Sequence, residues 1–232
     1  QLETDLFPAL FEMKRKGVRV DLDKAEIIKN DLQKEEKEIL QSIKKLSGTS
    51  VEIWAAASVA KAFDALQIPY EHTETGKPSF DKNFLSSHDS PLAQMVVKAR
   101  EINKARTTFI DSILKHSHRG RIHAEIHQMR SDQGGTVTGR FSYSNPNLQQ
   151  IPARNAIIGP LIRSLFIPEK GCKWGIFDYS QQEPRLIVHY AAMKTFSGAS
   201  KFVEAYQEEQ STDFHQLVAE MADIGRKQAK TI

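Results

Sequence analysis

The junction between an apolar run and a helix near residue 178 restricts the possible folds more than any other feature of this sequence. Trp174-Gly175-Ile176-Phe177 favours a buried strand, and Leu186–Ala191 favours a helix. Between them, Asp178–Arg185 reads Asp-Tyr-Ser-Gln-Gln-Glu-Pro-Arg. A carboxylate at the open end of a strand can face a metal without being buried, and Mg²⁺ takes one or two carboxylates together with phosphate oxygens. The junction therefore predicts a strand, a candidate metal ligand and a helix start in one short segment.

The predicted helix start carries signals of its own. Ser180 followed by Glu183 is a capping-box pattern, in which each side chain bonds to the other residue's backbone N–H. Pro184 would fall in the first helical turn, where its missing N–H costs little. Glu183 therefore has a structural explanation, whatever else it does.

Two further segments complete a recognisable set. Thr138–Pro152 reads Thr-Gly-Arg-Phe-Ser-Tyr-Ser-Asn-Pro-Asn-Leu-Gln-Gln-Ile-Pro, and Arg226–Ile232 reads Arg-Lys-Gln-Ala-Lys-Thr-Ile. The chain resembles the family A (polymerase I-like) DNA polymerases in these segments, and Asp178–Arg185 resembles their motif A. Arg226–Ile232 resembles the opening of motif B, and the sequence stops before the family's aromatic-Gly pair. The order and the approximate spacing match the family.

Composition is that of an ordinary globular protein. Of 232 residues, 40% are hydrophobic and 26% charged. No apolar run approaches the roughly 20 residues of a membrane helix, so no membrane role is expected. The single cysteine, Cys172, excludes an internal disulfide and fits a reducing compartment. The start at Gln1 without a signal-peptide pattern predicts a trimmed product with more protein upstream. The family resemblance implies that this product acts in the cytoplasm of a bacterium or a phage-infected host.

Positive charge is concentrated in one part of the chain. Between Val97 and Arg130 there are eight basic and three acidic residues, a local net charge of +5 against +3 for the whole chain. Clustered Lys and Arg are the expected electrostatic footprint of a nucleic-acid backbone. Lys104 and Arg106 are the candidate DNA contacts in this segment. The alternative is a set of solvated helix faces.

The first half of the chain gives mainly helical signals. Helices are predicted over Leu2–Lys16, from Asp21 or Asp23 to Leu46, over Ser58–Leu66 and over Leu92–Lys115. Residues 70–81 are predicted to be a loop.

A period of two then replaces the helical period. Strands are predicted over Arg121–Arg130, from Thr136 to Thr138, over Leu165–Pro168 and over Lys173–Phe177, with a turn at Ser131–Gly135. Helical signals return from Thr195 onward.

The resemblance implies an α+β fold that is part of a right-hand polymerase. Residues 1–118 would be the helical thumb, and residues 119–192 the first antiparallel palm segment, which carries motif A. Residues 193–232 would begin the fingers and be truncated inside motif B. The rest of motif B and the motif C carboxylate would lie on a missing C-terminal partner.

The resemblance also assigns chemistry to the motif A residues. Asp178 would bridge two Mg²⁺ ions, and the backbone carbonyl of Tyr179 would be a second ligand. Glu183 would be the steric gate that crowds the sugar 2′ position and favours deoxyribonucleotides. An Asp that only ends a strand and a Glu that only caps a helix are the structural alternatives.

Three residues near the end of the chain would meet the incoming triphosphate. Arg226 and Lys230 are four apart and would share a helix face, and Lys230 would also protonate the leaving pyrophosphate. Their structural alternative is a basic, solvated helix end. His215 resembles a fingers histidine near the β-phosphate, at a spacing from Lys230 that resembles phage-type enzymes.

The segment that includes Thr138–Pro152 would contact DNA. Arg140 matches an arginine that reaches the minor groove at the primer end, where the acceptors are nearly the same in every base pair. Asn147 and Gln149 match residues near the template and primer strands. The alternative is ordinary turn chemistry around Asn145-Pro146-Asn147.

Two histidine patterns are interpreted as structural. His88-Asp89-Ser90 resembles the family's His-Asp-Glu metal motif, but it lies upstream of motif A with Ser in place of Glu, so a loop is predicted. A second set could suggest zinc but lacks a cysteine partner, and strand alternation explains its last two members. That set comprises His116, His118, His123 and His127.

Together the motifs predict the N-terminal part of the polymerase domain of a DNA-directed DNA polymerase, which adds deoxynucleotides to a primer 3′ end on a template. Its ligands would be primer–template DNA, dNTP and two Mg²⁺ ions. A C-terminal polymerase fragment would be required for activity, because the second carboxylate ligand is missing. The alternative is a non-catalytic DNA-binding or scaffold remnant of a polymerase.

Overall fold

A computed structural model describes residues 1–132, 134–153, 155–209 and 212–231. These residues form two compact units, Gln1–Lys173 and Trp174–Ile232. Helices dominate, and the strands form small antiparallel sheets, which confirms the α+β class. Gln133, in the predicted turn, and Ile232, at the end of the motif B-like segment, lie outside the described residues. The thumb, palm and fingers boundaries remain predictions.

Helices of the first unit follow the predicted periods closely. The long helix α2 begins after Asp21, whose side chain accepts a hydrogen bond from the Lys24 N–H at 3.0 Å, and ends at Gly48 in the left-handed region. The helix predicted over Leu92–Lys115 is α5, a π-helical turn at Ala105–Ile110, and α6. The helices are α1 Leu2–Lys16, α2 Leu22–Ser47, α3 Ala56–Ala65, α4 Lys82–Ser87, α5 Pro91–Lys104, α6 Asp111–His116 and α7 Ile158–Arg163.

Strands of the first unit are short and all pair antiparallel. They are β1 Val18–Arg19, β2 Glu71–His72, β3 Pro78–Ser79, β4 Ser117–His118, β5 Arg121–Ile122, β6 Glu125–His127 and β7 Ser142–Ser144. The sheets have the orders β1-β5-β4, β2-β3 and β6-β7. In the last, Ile126 lies opposite Tyr143. The predicted loop at residues 70–81 therefore contains a small hairpin.

Two strand predictions in this unit are corrected. The strand that returns to β6 is Ser142–Ser144, not Thr136–Thr138, because the Thr136 hydroxyl donates to the Arg140 carbonyl at 2.7 Å and closes a turn there. The predicted strand Leu165–Pro168 is reduced to one bridge, between Val20 and Phe166.

The predicted strand Lys173–Phe177 is also wrong. No partner strand pairs with it among the described residues, and the side chains of Ile176 and Phe177 are 89% and 95% exposed. An apolar run becomes a strand only when a neighbour accepts its backbone hydrogen bonds and another layer covers its side chains. Neither condition is met within the described residues.

Two hydrophobic clusters hold the first unit together. One joins the first half of α2 to α6, β5 and α7, through residues such as Ile113, Ile122 and Ile162. The other joins the second half of α2 to α3, α4 and α5, around the fully buried Phe63 and Leu92. Because α2 contributes to both clusters, it is the spine of this unit.

The described residues of the second unit form four helices. They are α8 Gln182–Met193, α9 Ala199–Glu208, α10 Phe214–Ala222 and α11 Arg226–Ala229. The rings of Phe202 and Phe214 pack at 5.4 Å between centroids, which joins α9 to the start of α10. Among the described residues, no helix of either unit combines the length and apolarity that a membrane crossing requires.

Candidate functional site

Asp178 lies in an exposed, extended segment four residues before α8. Its carboxylate makes no hydrogen bond or ion pair within the part of the chain that the structure describes. The adjacent Tyr179 is 81% exposed. An unengaged carboxylate next to a backbone carbonyl fits the oxygen ligands that Mg²⁺ prefers.

The start of α8 differs from the predicted capping box. Gln181, not Ser180, is the N-cap residue, and it lies in the left-handed region with φ 53°. Ser180 therefore does not cap the helix and Glu183 does not complete a box with it. Pro184 does lie in the first turn of α8, as predicted.

Gln181 connects motif A to the start of α10. Its Oε1 accepts hydrogen bonds from the Tyr206 hydroxyl at 3.1 Å and from the Phe214 N–H at 2.9 Å. Its Nε2 donates to the Thr212 carbonyl at 2.6 Å. Sequence reasoning missed this role, because nothing in the pattern distinguishes a connecting glutamine from a solvated one.

Arg185 holds the segment that precedes α8 against α9. Its Nε donates to the Ser180 carbonyl at 3.0 Å, and its guanidinium lies 4.3 Å from the centre of the Tyr206 ring. Burial raises the pKa of Tyr206, the positive charge of Arg185 opposes that shift, and the negative charge of Asp213 adds to it. Together Gln181 and Arg185 fix the backbone that carries Asp178.

Glu183 lies on the exposed side of the first turn of α8. The same end of the helix borders an open depression of about 590 Å³. Its lining residues are Tyr179, Ser180, Gln182, Arg185, Leu186, Tyr206 and Gln207. A molecule that approaches motif A thus has room beside the start of α8.

Arg226 and Lys230 lie one helical turn apart, since the Lys230 N–H donates to the Arg226 carbonyl at 3.2 Å. The Arg226 side chain is held by a carboxylate. Its Nε and Nη2 donate to Oδ2 of Asp213 at 2.8 and 2.6 Å. This hydrogen bond is the main reason why the pKa of Asp213 lies below its ordinary value.

Asp213 also caps α10. Its Oδ1 accepts from the N–H groups of His215 and Gln216 at 3.0 and 3.2 Å. His215 is therefore brought close to the Asp213–Arg226 pair, and its Nδ1 is buried without a hydrogen-bond partner among the described residues. Asp213 was not predicted as a site residue, although an Asp directly before a helical run is a recognisable N-cap signal.

The segment 136–150 brings Arg140, Asn147 and Gln149 into one folded loop of the first unit. Gln149 Nε2 donates to the Phe141 carbonyl at 3.0 Å, next to the exposed Arg140. Asn147 Oδ1 accepts from the Gln149 N–H at 3.1 Å, so Asn147 has the turn-forming role that the alternative interpretation gave it.

Half of the basic residues between Val97 and Arg130 bind other parts of the first unit. Lys98 pairs with Glu35, Arg106 with Glu36, and Arg121 with Glu169 at 2.7 to 3.0 Å. Arg100 donates to the carbonyls of Ile53 and Phe80.

The other four are exposed and make no ion pair with any described residue. They are Lys104, Lys115, Arg119 and Arg130. The side chain of Lys104 is thus exposed to solvent, whereas Arg106 is paired with Glu36 in the interior.

Three of the histidines interpreted as structural have hydrogen-bond partners. His123 Nδ1 lies 2.8 Å from the Lys14 carbonyl, and His127 Nε2 lies 2.7 Å from the Ser144 hydroxyl. In the loop before α5, His88 Nδ1 accepts from the Ser90 N–H at 3.1 Å.

Comparison with known proteins points in one direction. A family model described as DNA polymerase family A matches residues 22–232. The chain is 37% identical over its whole length to a DNA-directed DNA polymerase of Pseudomonas phage M6, of which it covers 37%. It is 34% identical to DNA polymerase DpoZ of Acinetobacter phage SH-Ab 15497 over 99% of its length, covering 39% of that protein.

Cellular enzymes and a solved structure are similar as well. The thermostable DNA polymerase I of Thermus thermophilus is 30% identical over 94% of the chain and is covered to 26%. The POL domain of Pol1 from M. smegmatis, in complex with DNA primer-template and dNTP, superposes over 99% of this chain and 45% of that one. The TM-score is 0.67 at 22% identity, which supports the fold. The chain thus spans less than half the length of each of these proteins.

Proposed function

This chain belongs to DNA polymerase family A, and we propose that it forms the N-terminal part of a polymerase domain that extends a DNA primer on a template. The observation that carries the proposal is the content of the second unit. It presents an unengaged carboxylate, Asp178, together with cations suited to phosphate, Arg226 and Lys230. Phosphoryl transfer needs both kinds of group: carboxylates for the metal and cations for the phosphates.

The proposed metal ligands are Asp178 and the backbone carbonyl of Tyr179. Two Mg²⁺ ions, when bound, would activate the primer 3′-hydroxyl and neutralise the triphosphate and the leaving pyrophosphate. Mg²⁺ needs only one or two carboxylates besides phosphate oxygens and water. The second carboxylate would come from outside this chain.

The proposed nucleotide contacts lie on α8, α10 and α11. Arg226, Lys230 and His215 would bind the triphosphate, and Lys230 would donate a proton to the leaving pyrophosphate. Glu183 would lie against the 2′ position of the sugar and exclude a hydroxyl there. Because Glu183 completes no capping box in the structure, a purely helix-capping explanation of this residue loses support.

The proposed DNA contacts lie on the first unit. Arg140 would enter the minor groove at the primer end, with Asn147 and Gln149 near the two strands. Lys104 and the other exposed basic residues would bind phosphates. Arg106 contributes least, because its Nε and Nη2 already bind Glu36. Since its relatives come from phages and bacteria, the protein would act in the cytoplasm of a bacterium or a phage-infected cell.

The proposed partner is a C-terminal polymerase fragment that carries the rest of motif B and motif C. The exposed side chains of Ile176 and Phe177 support this partner, because a strand from the fragment would cover them. The alternative function is that of a non-catalytic DNA-binding remnant. The exposed basic residues are the one feature that supports it, because they could bind DNA without any catalysis.

The test is primer extension by the chain mixed with the C-terminal part of a close relative, such as the phage M6 enzyme. We expect extension by the mixture, none by the chain alone, and none after Asp178→Asn, which should bind primer–template DNA as tightly as the unaltered chain. Extension by the chain alone that Asp178→Ala abolishes would show that no partner is required. DNA binding without extension in any mixture would favour the remnant.

The same mixture tests the steric gate. Glu183→Ala should raise the incorporation of a ribonucleotide relative to its deoxy counterpart, because the 2′-hydroxyl no longer meets a carboxylate. Glu204→Ala, on an exposed position of α9, is the matched control and should leave the ratio unchanged. An unchanged ratio in both variants would remove the steric gate from the proposal.

A further inference from the structure

We propose that Asp213 is a positioning residue whose carboxylate occupies the triphosphate-binding place of Arg226 and must be displaced when the nucleotide binds. This inference rests on the proposed triphosphate role of Arg226. It assigns a function to a residue that no motif of the chain singles out.

The geometry around Asp213 is that of an occupied anion site. Four N–H donors from two elements meet one carboxylate. Oδ1 accepts from the backbone N–H groups of His215 and Gln216, at 3.0 and 3.2 Å. Oδ2 accepts from Nε and Nη2 of Arg226, at 2.8 and 2.6 Å. A phosphate oxygen prefers the same donors, namely a helix N-terminus and an arginine fork.

The pair is exposed enough to exchange. The side chains of Arg226 and Asp213 are 53% and 34% accessible to water. An ion pair in this setting contributes little net stability, because water screens it and solvates both groups when they separate. A triphosphate, with several negative charges, can therefore compete with a single carboxylate for the same guanidinium.

Exchange would also couple nucleotide binding to the contact between two helices. The Asp213–Arg226 pair joins the first residue of α11 to the N-cap of α10. Gln181 in motif A binds the neighbouring Thr212 and Phe214. When Arg226 leaves Asp213 for a phosphate, α11 loses this link to α10 while motif A keeps its own.

The experiment measures the affinity of the 232-residue chain for inorganic tripolyphosphate by calorimetry. Asp213→Asn and Asp213→Ser both keep an N-cap side chain and remove the charge, so α10 is retained. The control is Asp223→Asn, which removes the same charge from the opposite end of α10, at a left-handed position that Asn tolerates. Arg226→Gln tests the arginine itself. Far-UV circular dichroism verifies that each variant is folded.

We expect both Asp213 variants to bind tripolyphosphate about two- to five-fold more tightly than Asp223→Asn, as release from an exposed ion pair predicts. Arg226→Gln should bind more weakly than the unaltered chain. If the Asp213 variants bind no more tightly than Asp223→Asn while Arg226→Gln still loses affinity, Arg226 binds phosphate but Asp213 does not compete, and only this inference fails. If Arg226→Gln binds like the unaltered chain, or no variant binds, the proposed triphosphate role fails as well.

Discussion

Two arginine–carboxylate pairs, one in each unit, differ in how far water reaches them. In the first unit, the side chains of Arg106 and Glu36 are 20% and 11% exposed, and Asn103 also donates to Glu36 at 2.7 Å. In the second, Arg226 and Asp213 are 53% and 34% exposed. The chemistry is the same, but the buried pair cannot separate without leaving a charge in the interior, whereas the exposed pair can exchange its partner for solvent or a ligand.

The two units differ in the same way as a whole. The first unit has two buried hydrophobic clusters, although large apolar residues such as Phe7 and Trp54 are exposed on it. Half of its basic segment binds the unit's own backbone and carboxylates. The described residues of the second unit leave Ile176, Phe177 and Tyr179 exposed. The largest fully buried side chains among the described residues all belong to the first unit.

The largest expected effect comes from truncating a matched pair of phenylalanines. Phe63→Ala removes a fully buried ring from the second cluster and should lower the free energy of unfolding of the first unit by about 3–5 kcal/mol. Phe177→Ala removes a 95% exposed ring and should change stability by less than about 0.5 kcal/mol. Urea unfolding monitored by hydrogen exchange in α3 and α10 measures both. A comparable loss in the Phe177 variant would end the contrast between the units.

The second-largest expected effect is the difference in stability lost when each of the two ion pairs is broken. Glu36→Ala leaves the Arg106 guanidinium with only its longer pair to Asp111, at 3.7 Å, and should destabilise the first unit by about 2–3 kcal/mol. Asp213→Asn, which keeps the α10 cap, should cost less than about 1 kcal/mol. The same unfolding measurement applies to both variants. Equal costs would mean that burial does not distinguish the pairs.

A smaller effect is expected on DNA binding when basic residues of the first unit are removed. It compares an exposed cation with one that is already paired. Arg119→Ala removes an exposed cation and should flatten the slope of log affinity for primer–template DNA against log salt by about 0.9. Lys98→Ala is the control, because Lys98 pairs with Glu35 at 2.7 Å. Filter binding from low to moderate salt measures both slopes. A change confined to the Lys98 variant would reverse the assignment of phosphate contacts.

The smallest expected effect is that of acid on the exposed Asp213–Arg226 ion pair, which low pH should weaken. Arg226 lowers the pKa of Asp213 below its ordinary 3.8 by hydrogen bonding to the ionised form. The pair therefore stabilises the folded state above pH 3.8, and that contribution is lost as the pH falls through the lowered pKa. In Arg226→Gln, the Asp213 pKa measured by NMR should rise toward 3.8. An unchanged pKa would show that the α10 N-terminus, not Arg226, sets it.

Local patterns predicted local structure well. The Asp21 cap, the Gly48 end of α2 and the helical spacing of Arg226 and Lys230 follow from backbone geometry that neighbouring residues dictate. The six-residue helices α4 and α7 were missed, because they are too short to show a period. The strand at Lys173–Phe177 was wrong, because a strand needs a distant neighbour that the pattern does not reveal.

In the candidate site, too, the sequence predicted some features and not others. The residue types of the site can be predicted, because motifs place Asp178, Glu183 and Arg226 at fixed spacings along the chain. Their hydrogen-bond partners could not be predicted, because Asp213 and Arg226 are thirteen residues apart and Gln181 and Phe214 are thirty-three residues apart.

By itself, then, the amino-acid sequence determined the α+β class, the long helices and the family, because these depend on short-range periodicity and on residues close together in the chain. Only the tertiary structure decided which charged side chains form ion pairs within the protein and which are exposed to solvent. Arg106 and Lys104 are indistinguishable as sequence, yet one is bound to Glu36 and the other is exposed. The physical reason is that the strength and accessibility of an ion pair depend on burial, which only the folding of distant segments against one another creates.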